Sequence, residues 1–235
     1  MQAVILAAGE GKRFRPWSNF HQKCMFPLYE RPLLAYVLDN IARACGRDLT
    51  QFNIVVGYYE NEVKQYFGDE YTPRDSSGQT WECPVPIRYV TQQSQFGTGD
   101  ALYVAYTALR FREPVLVCLG DVIPNVKALD RLVMCDSENN RVTVFHHVCD
   151  GSDHARIETQ ETIDNSWPKR VTQAYMVGAD GVGKSDYVDI GQWWLHPDTI
   201  KRMGEFNVGE RRTLRCVQAS IESGERGAVA FLSPT

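Results

Sequence analysis

The sequence predicts an α/β fold, a three-layer sandwich with a mostly parallel central sheet and helices on both faces, and three observations predict it. Residues 3–8, 52–57 and 115–119 are short, almost continuous apolar runs, as strands buried on both faces require. Between the first two lies a segment of helical apolar spacing, Leu34, Val37, Leu38 and Ile41, which supplies the right-handed crossover that joins parallel strands. The composition is ordinary for a globular chain: 235 residues, 43% hydrophobic and 23% charged, enough for one sizeable core.

The first strand runs straight into Ala7-Ala8-Gly9-Glu10-Gly11-Lys12-Arg13-Phe14-Arg15-Pro16. Small residues let backbone N–H groups approach a phosphate, and the cations that follow can hold its oxygens, Arg as a fork and Lys23 as a point charge. The loop is neither a dinucleotide fingerprint, since Phe14 stands where a third glycine belongs, nor a Walker A loop, since only Glu10 separates Gly9 from Gly11-Lys12. A helix over 33–44 stops at Gly46, the strand over 52–57 follows, and 60–67 reads as a second helix with Val63 and Phe67 on one face. Residues 69–86 are polar and rich in Gly, Pro and Ser, a surface excursion longer than most connections.

A strand over 87–90 leads into Thr91-Gln92-Gln93-Ser94-Gln95-Phe96-Gly97-Thr98-Gly99-Asp100-Ala101 and a helix over 100–109. Glutamine amides beside a Gly-Thr-Gly turn suit base recognition; a helix entry capped by Thr98 is the structural alternative. The strand over 115–119 closes on Gly120-Asp121, and a carboxylate at the C-terminal end of a central parallel strand sits where such sheets bind ligands. A helix over 126–136 and a strand over 142–148 continue the sheet, and a helix over 214–223 and a strand over 224–231 end it. His146, His147, Cys149 and His154 lack zinc-site spacing. Gly178-Ala179-Asp180-Gly181-Val182-Gly183-Lys184-Ser185 matches G-x-x-x-x-G-K-S, but β-prone residues follow it where a P-loop needs a helix, so a polar loop is expected there.

Leu6-Ala7-Ala8-Gly9-Glu10-Gly11-Lys12-Arg13, Pro16 and Lys23 together resemble the signature of the sugar-1-phosphate nucleotidylyltransferases. The resemblance implies a Rossmann-like fold in a single domain over 1–235, with a nucleotide half over 1–125 and a sugar-phosphate half over 126–235. It implies that Leu6, Ala8, Gly9, Gly11 and Lys12 wrap a nucleoside triphosphate, that Arg13 holds the leaving pyrophosphate, and that Lys23 bridges the α-phosphate and the sugar phosphate. Gln92, Gln95, Gly97 and Thr98 match the family's base-binding turn, and Asp121 its Mg²⁺ ligand. His154-Ala155-Arg156-Ile157 resembles a sugar-contacting stretch with Ala155 in place of Gly, and Asp189-Ile190-Gly191 resembles a strand lining the sugar pocket. The implied activity is transfer of a nucleotidyl group from an NTP to a sugar-1-phosphate, giving NDP-sugar and pyrophosphate.

The family's second metal aspartate, in a Trp-x-Asp-x-Gly segment, has no match after Phe231. That and the Ala155 change leave open a regulatory relative that binds without turnover; a separate alternative is a cytidylyltransferase acting on phosphocholine or another alcohol phosphate. A net charge of −4 argues against nucleic acid as a partner. No apolar run is long enough to span a membrane or to serve as a signal peptide, and seven scattered cysteines suit reduced core thiols, so a cytoplasmic protein is expected. Association into a homo-oligomer is compatible with this reading.

Overall fold

The structure is a computed structural model and describes residues 1–135, 138–146, 155–160, 167–176, 187–207 and 213–233. The N-terminal half runs β1 (Gln2–Leu6), β2 (Pro27–Leu28), β3 (Arg31–Pro32), α1 (Leu33–Cys45), β4 (Gln51–Val56), α2 (Glu60–Phe67), β5 (Glu70–Tyr71), β6 (Val85–Thr91), α3 (Thr98–Leu109) and β7 (Val115–Leu119). The remainder runs α4 (Val126–Met134), β8 (Asn140–His146), β9 (Ala155–Thr159), β10 (Lys169–Met176), β11 (Tyr187–Leu195), α5 (Pro197–Lys201), α6 (Thr213–Glu222) and β12 (Ala228–Leu232).

The main sheet has the strand order β5-β6-β4-β1-β7-β11-β8-β12-β10-β9. Its residues alternate between two cores, as a period of two demands. From β1, Ala3 and Ile5 pack with Leu34, Val37, Leu38, Val63 and Leu129 under α1, α2 and α4. Val4 and Leu6 pack on the opposite face with Leu102, Ala105, Ile200, Leu214 and Val217 of α3, α5 and α6. The three-layer arrangement therefore follows from runs that are apolar at both odd and even positions.

The mostly parallel sheet expected from the sequence is instead mixed. β6, β4, β1 and β7 are parallel neighbours, as are β12 and β8. β11 enters between β7 and β8, antiparallel to both, and β10 is antiparallel to β12 and to β9. Connection length accounts for one of these pairings: the link from β9 to β10 is shorter than the roughly dozen residues that a parallel crossover requires, and the two strands pair antiparallel. Element boundaries also move. The final strand begins at Ala228, because residues 224–227 serve as the turn out of α6.

The polar excursion over 69–86 is tied to the body at its start. Asp39, buried on α1, accepts hydrogen bonds from Arg31 Nη1 (2.7 Å), the Tyr71 hydroxyl (2.8 Å) and the Arg74 backbone N–H (2.9 Å). Arg31 also donates to the Tyr71 hydroxyl, and its guanidinium lies over the Tyr36 ring. One carboxylate thus joins β3, α1, β5 and the excursion. The described cysteines are unbridged, and burial pushes the thiols of Cys24, Cys118 and Cys216 well above the usual range. No helix among the described residues is long and apolar enough to cross a membrane.

Candidate active site

A cleft of about 540 Å³ opens at the C-terminal ends of the parallel strands β1, β4, β6 and β7. This is where an open α/β sheet presents loops to a ligand, since each strand hands over to a helix-bound loop on that edge. The strand ends are stitched to one another: Ala7 N–H donates to Val55 O (2.8 Å), Gly120 N–H to Leu6 O (2.9 Å) and Gln92 N–H to Val56 O (2.8 Å).

The glycine loop forms one wall. Gly11 has φ +64°, and a Cβ there would stand 3.1 Å from Lys23 Cβ and 3.2 Å from Ser18 Cβ, so the position requires glycine. The buried Ser18 hydroxyl donates to Gly11 O at 2.7 Å and holds the loop's turn. Phe14 and Trp17 meet Phe26 edge to face at 5.1 and 5.3 Å, packing the two 3₁₀ turns after the loop against the segment after Lys23. Lys12, mostly exposed, pairs with Glu10 at 3.2 Å on the rim.

Gln22 does the joining, a part that its place between His21 and Lys23 in sequence did not signal. Its side chain is buried, and Nε2 donates to Ala7 O (2.6 Å), Gly9 O (3.1 Å) and Tyr58 O (3.3 Å). Its Oε1 accepts from Cys24 N–H at 3.1 Å, and its own backbone N–H donates to Glu62 Oε2 at 2.7 Å. One amide therefore fixes the glycine loop, the end of β4 and the turn that carries Lys23. Lys23 then reaches across the cleft to an ion pair with Asp121, just past β7. Both side chains are partly exposed, 38% and 26%, so the pair contributes only about 0–1 kcal/mol and opens readily when a more highly charged ligand arrives.

The same cleft is lined by Leu6, Ala8, Gly9, Arg13, Gln92 and Gln95, with Gly97 and Thr98 at the start of α3. The structure therefore brings together all the residues expected to bind nucleotide or to act in catalysis. α3 begins at Thr98 with Gly97 at the N-cap position and no side-chain cap, and the Thr98 hydroxyl accepts from Thr213 of α6 at 3.2 Å. Thr98 is therefore the first residue of the helix and not its cap.

The residues expected to touch sugar are not in that lining. Ala155 is the first residue of β9. Asp189 and Gly191 lie on β11, where the register with β8 shifts between Asp189 and Trp193. Asp189 Oδ1 accepts from Gly191 N–H at 3.1 Å, and Gly191, at φ +76°, packs so close to Leu119 that a Cβ would collide with it. Leu119 lines the cleft, so the β11 bulge supports its wall from behind. His147, Cys149 and His154, and the whole Gly178–Ser185 match to a P-loop, lie outside the described residues.

Burial pushes the Asp189 carboxyl up to about 7, with the Gly191 N–H pulling the other way. Because the folded state keeps this proton after the unfolded chain has lost it, stability falls as pH rises from about 4 to about 7 and levels off above that. Asp189→Asn retains an acceptor for Gly191 and removes the charge. It is expected to raise stability at pH 8 by up to about 4 kcal/mol and to leave it nearly unchanged at pH 4. Thermal melts of both proteins across that range check the crossing, and parallel melting curves would contradict it.

Among the described residues no group of three or more His, Cys, Asp or Glu side chains could cage a metal. The cleft offers two carboxylates, Glu10, already paired with Lys12, and Asp121. That donor set fits Mg²⁺, which is commonly held by one or two carboxylates, with substrate phosphates and water completing the octahedron.

Comparison with known proteins gives the same picture. The chain is 33% identical over 121 residues to the bifunctional protein GlmU of Symbiobacterium thermophilum, covering 51% of this chain and 21% of that one. It is 32% identical over 130 residues to the UTP--glucose-1-phosphate uridylyltransferase AglF of Haloferax volcanii, covering 55% and 47%. The chain thus spans between about a fifth and a half of the length of these curated relatives. A crystal structure of UDP-glucose pyrophosphorylase complexed with UDP-glucose superposes with a TM-score of 0.81 at 18% identity, over 99% of this chain and 90% of that one. The UTP-bound UGPase from Acinetobacter baumannii gives 0.79 at 18% identity, over 99% and 85%. A family model described as nucleotidyl transferase matches residues 2–157. Since that match takes in the glycine loop, Lys23, the Gln92 turn and Asp121 alike, this chain belongs to the nucleotidyl transferase family.

Proposed function

We propose that the protein transfers a nucleotidyl group from a nucleoside triphosphate to a sugar-1-phosphate. The observation that carries this reading is the convergence of the glycine loop, Lys23 and Asp121 on one cleft at the C-terminal edge of the parallel strands. The relatives' names, a UTP--glucose-1-phosphate uridylyltransferase among them, support the substrate classes.

In this reading a phosphate oxygen of the sugar-1-phosphate attacks the α-phosphorus in line. A new P–O bond forms as the bond from the α-phosphorus to the α–β bridging oxygen breaks, and pyrophosphate leaves with that oxygen and its electrons. The chain needs no nucleophile of its own, so its work is positioning and neutralising charge. Backbone of the loop from Ala8 to Gly11 wraps the triphosphate, and Arg13 holds the departing pyrophosphate. Lys23 moves from Asp121 onto the α-phosphate and the incoming sugar phosphate. Asp121 would hold Mg²⁺, which would supply positive charge to the triphosphate. Gln92, Gln95 and the Gly97–Thr98 turn receive the base. The family resemblance assigns Asp189, Gly191 and Ala155, in the 126–235 half, to the sugar side.

The test is a matrix of four nucleoside triphosphates against sugar-1-phosphates and phosphocholine with Mg²⁺, with products identified by mass. An NDP-sugar from at least one pair supports the proposal. A CDP-alcohol product would replace the sugar by another acceptor, and nucleotide binding with no product from any pair would favour a regulatory relative.

A further inference from the structure

We propose that Asp100 is a positioning residue that sets the protein's choice of base by fixing which end of the Gln92 amide faces the cleft. The inference rests on the nucleotide site proposed above.

Gln92 directly follows β6 and is only 3% exposed, yet it lines the cleft. Its Nε2 donates to Asp100 Oδ2 at 2.8 Å and to Gly97 O at 3.3 Å. Asp100, 4% exposed in the first turn of α3, presents a carboxylate, and Gly97 presents a carbonyl; both accept hydrogen bonds and neither donates one. Two acceptors on one side of an amide decide its orientation. Rotating the amide by half a turn would set Oε1 against two oxygens and strip the buried carboxylate of a donor. Oε1 is thereby held on the other side, where no hydrogen-bond donor among the described residues meets it. Gln95 steadies the turn, its Nε2 donating to Gln92 O at 3.3 Å.

A fixed acceptor set opposite the ring nitrogen of the Watson–Crick edge reads whether that nitrogen carries a hydrogen. Uracil and thymine at N3, and guanine at N1, present an N–H that Oε1 can accept. Cytosine at N3 and adenine at N1 present a lone pair, which Oε1 repels. With Asp100 in place the site selects bases with a ring N–H. A freely rotating amide would offer its NH₂ to the other class as easily.

UTP and CTP isolate this property, because they share ring size and differ at the edge. Their dissociation constants with Mg²⁺ are measured for the wild type, Asp100→Asn, Gln92→Ala and the double variant. The wild type is expected to favour UTP over CTP by roughly 5- to 100-fold. Asp100→Asn, whose amide can turn either face to Gln92, is expected to shrink that ratio severalfold. In the Gln92→Ala background Asp100→Asn is expected to change the ratio no further, whereas a merely structural loss would weaken both nucleotides alike. Equal affinity of the wild type for UTP and CTP, or an undiminished ratio in Asp100→Asn, overturns the role of Asp100. No binding of any triphosphate by the wild type overturns the nucleotide site itself.

Discussion

Lys23→Ala is expected to lower the rate of nucleotidyl transfer by about 10²- to 10³-fold, the usual cost of removing one charge aimed at a developing oxyanion. The chain invests heavily in placing this ammonium. Gln22 fixes the turn beneath it through four hydrogen bonds, and a Cβ on Gly11 would press on the Lys23 stem at 3.1 Å. With Asp121 as its resting partner, the ammonium waits inside the cleft. Both phosphates are anionic before attack and are brought together only in the transition state, so the loss should fall mainly on kcat, with a smaller rise in KM for the triphosphate. Lys23→Arg is expected to recover little, since a planar fork cannot replace a point charge in a fixed gap. Steady-state kinetics on the three proteins check this, and an Ala variant within threefold of wild type would contradict it.

Asp39→Ala is expected to be the most damaging change to stability, costing about 3–5 kcal/mol, because it leaves the Arg31 guanidinium largely buried without its counter-charge. It also removes the acceptor of the Arg74 N–H and one of the two acceptors of the Tyr71 hydroxyl, so the 69–86 excursion should loosen together with β5. For a domain of this size the melting temperature should fall by roughly 6–20 °C. Denaturant unfolding gives the free energy and hydrogen exchange the locality. A loss under about 1 kcal/mol would mean that the pair is no more than a surface contact.

Much of the N-terminal half was legible because its signals are local. The doubly buried strands show as unbroken apolar runs, α2 as Val63 and Phe67 one turn apart, and the loop as glycines ahead of cations. Asp121 was legible from its place at a strand end. Sheet order was not, because a strand's apolar pattern says which faces are buried and nothing about which neighbour lies beside it. β11 reads the same whether it sits at an edge or, as it does, between β7 and β8. Gln22, Asp39 and Asp100 escaped for a shared reason: each is a buried polar side chain whose partners lie far along the chain or at a spacing that matches no motif. Asp39 alone left a trace, as a carboxylate beside Leu38 on the buried side of α1.

The most direct test of the central claim is the rate of pyrophosphate release from the accepted triphosphate, with and without the acceptor phosphate, in wild type and Asp121→Ala. The account predicts release that requires the acceptor, matches NDP-sugar formation one for one, and falls by about 10²-fold or more in the variant. Release that proceeds without acceptor, or that Asp121→Ala leaves intact, would contradict it.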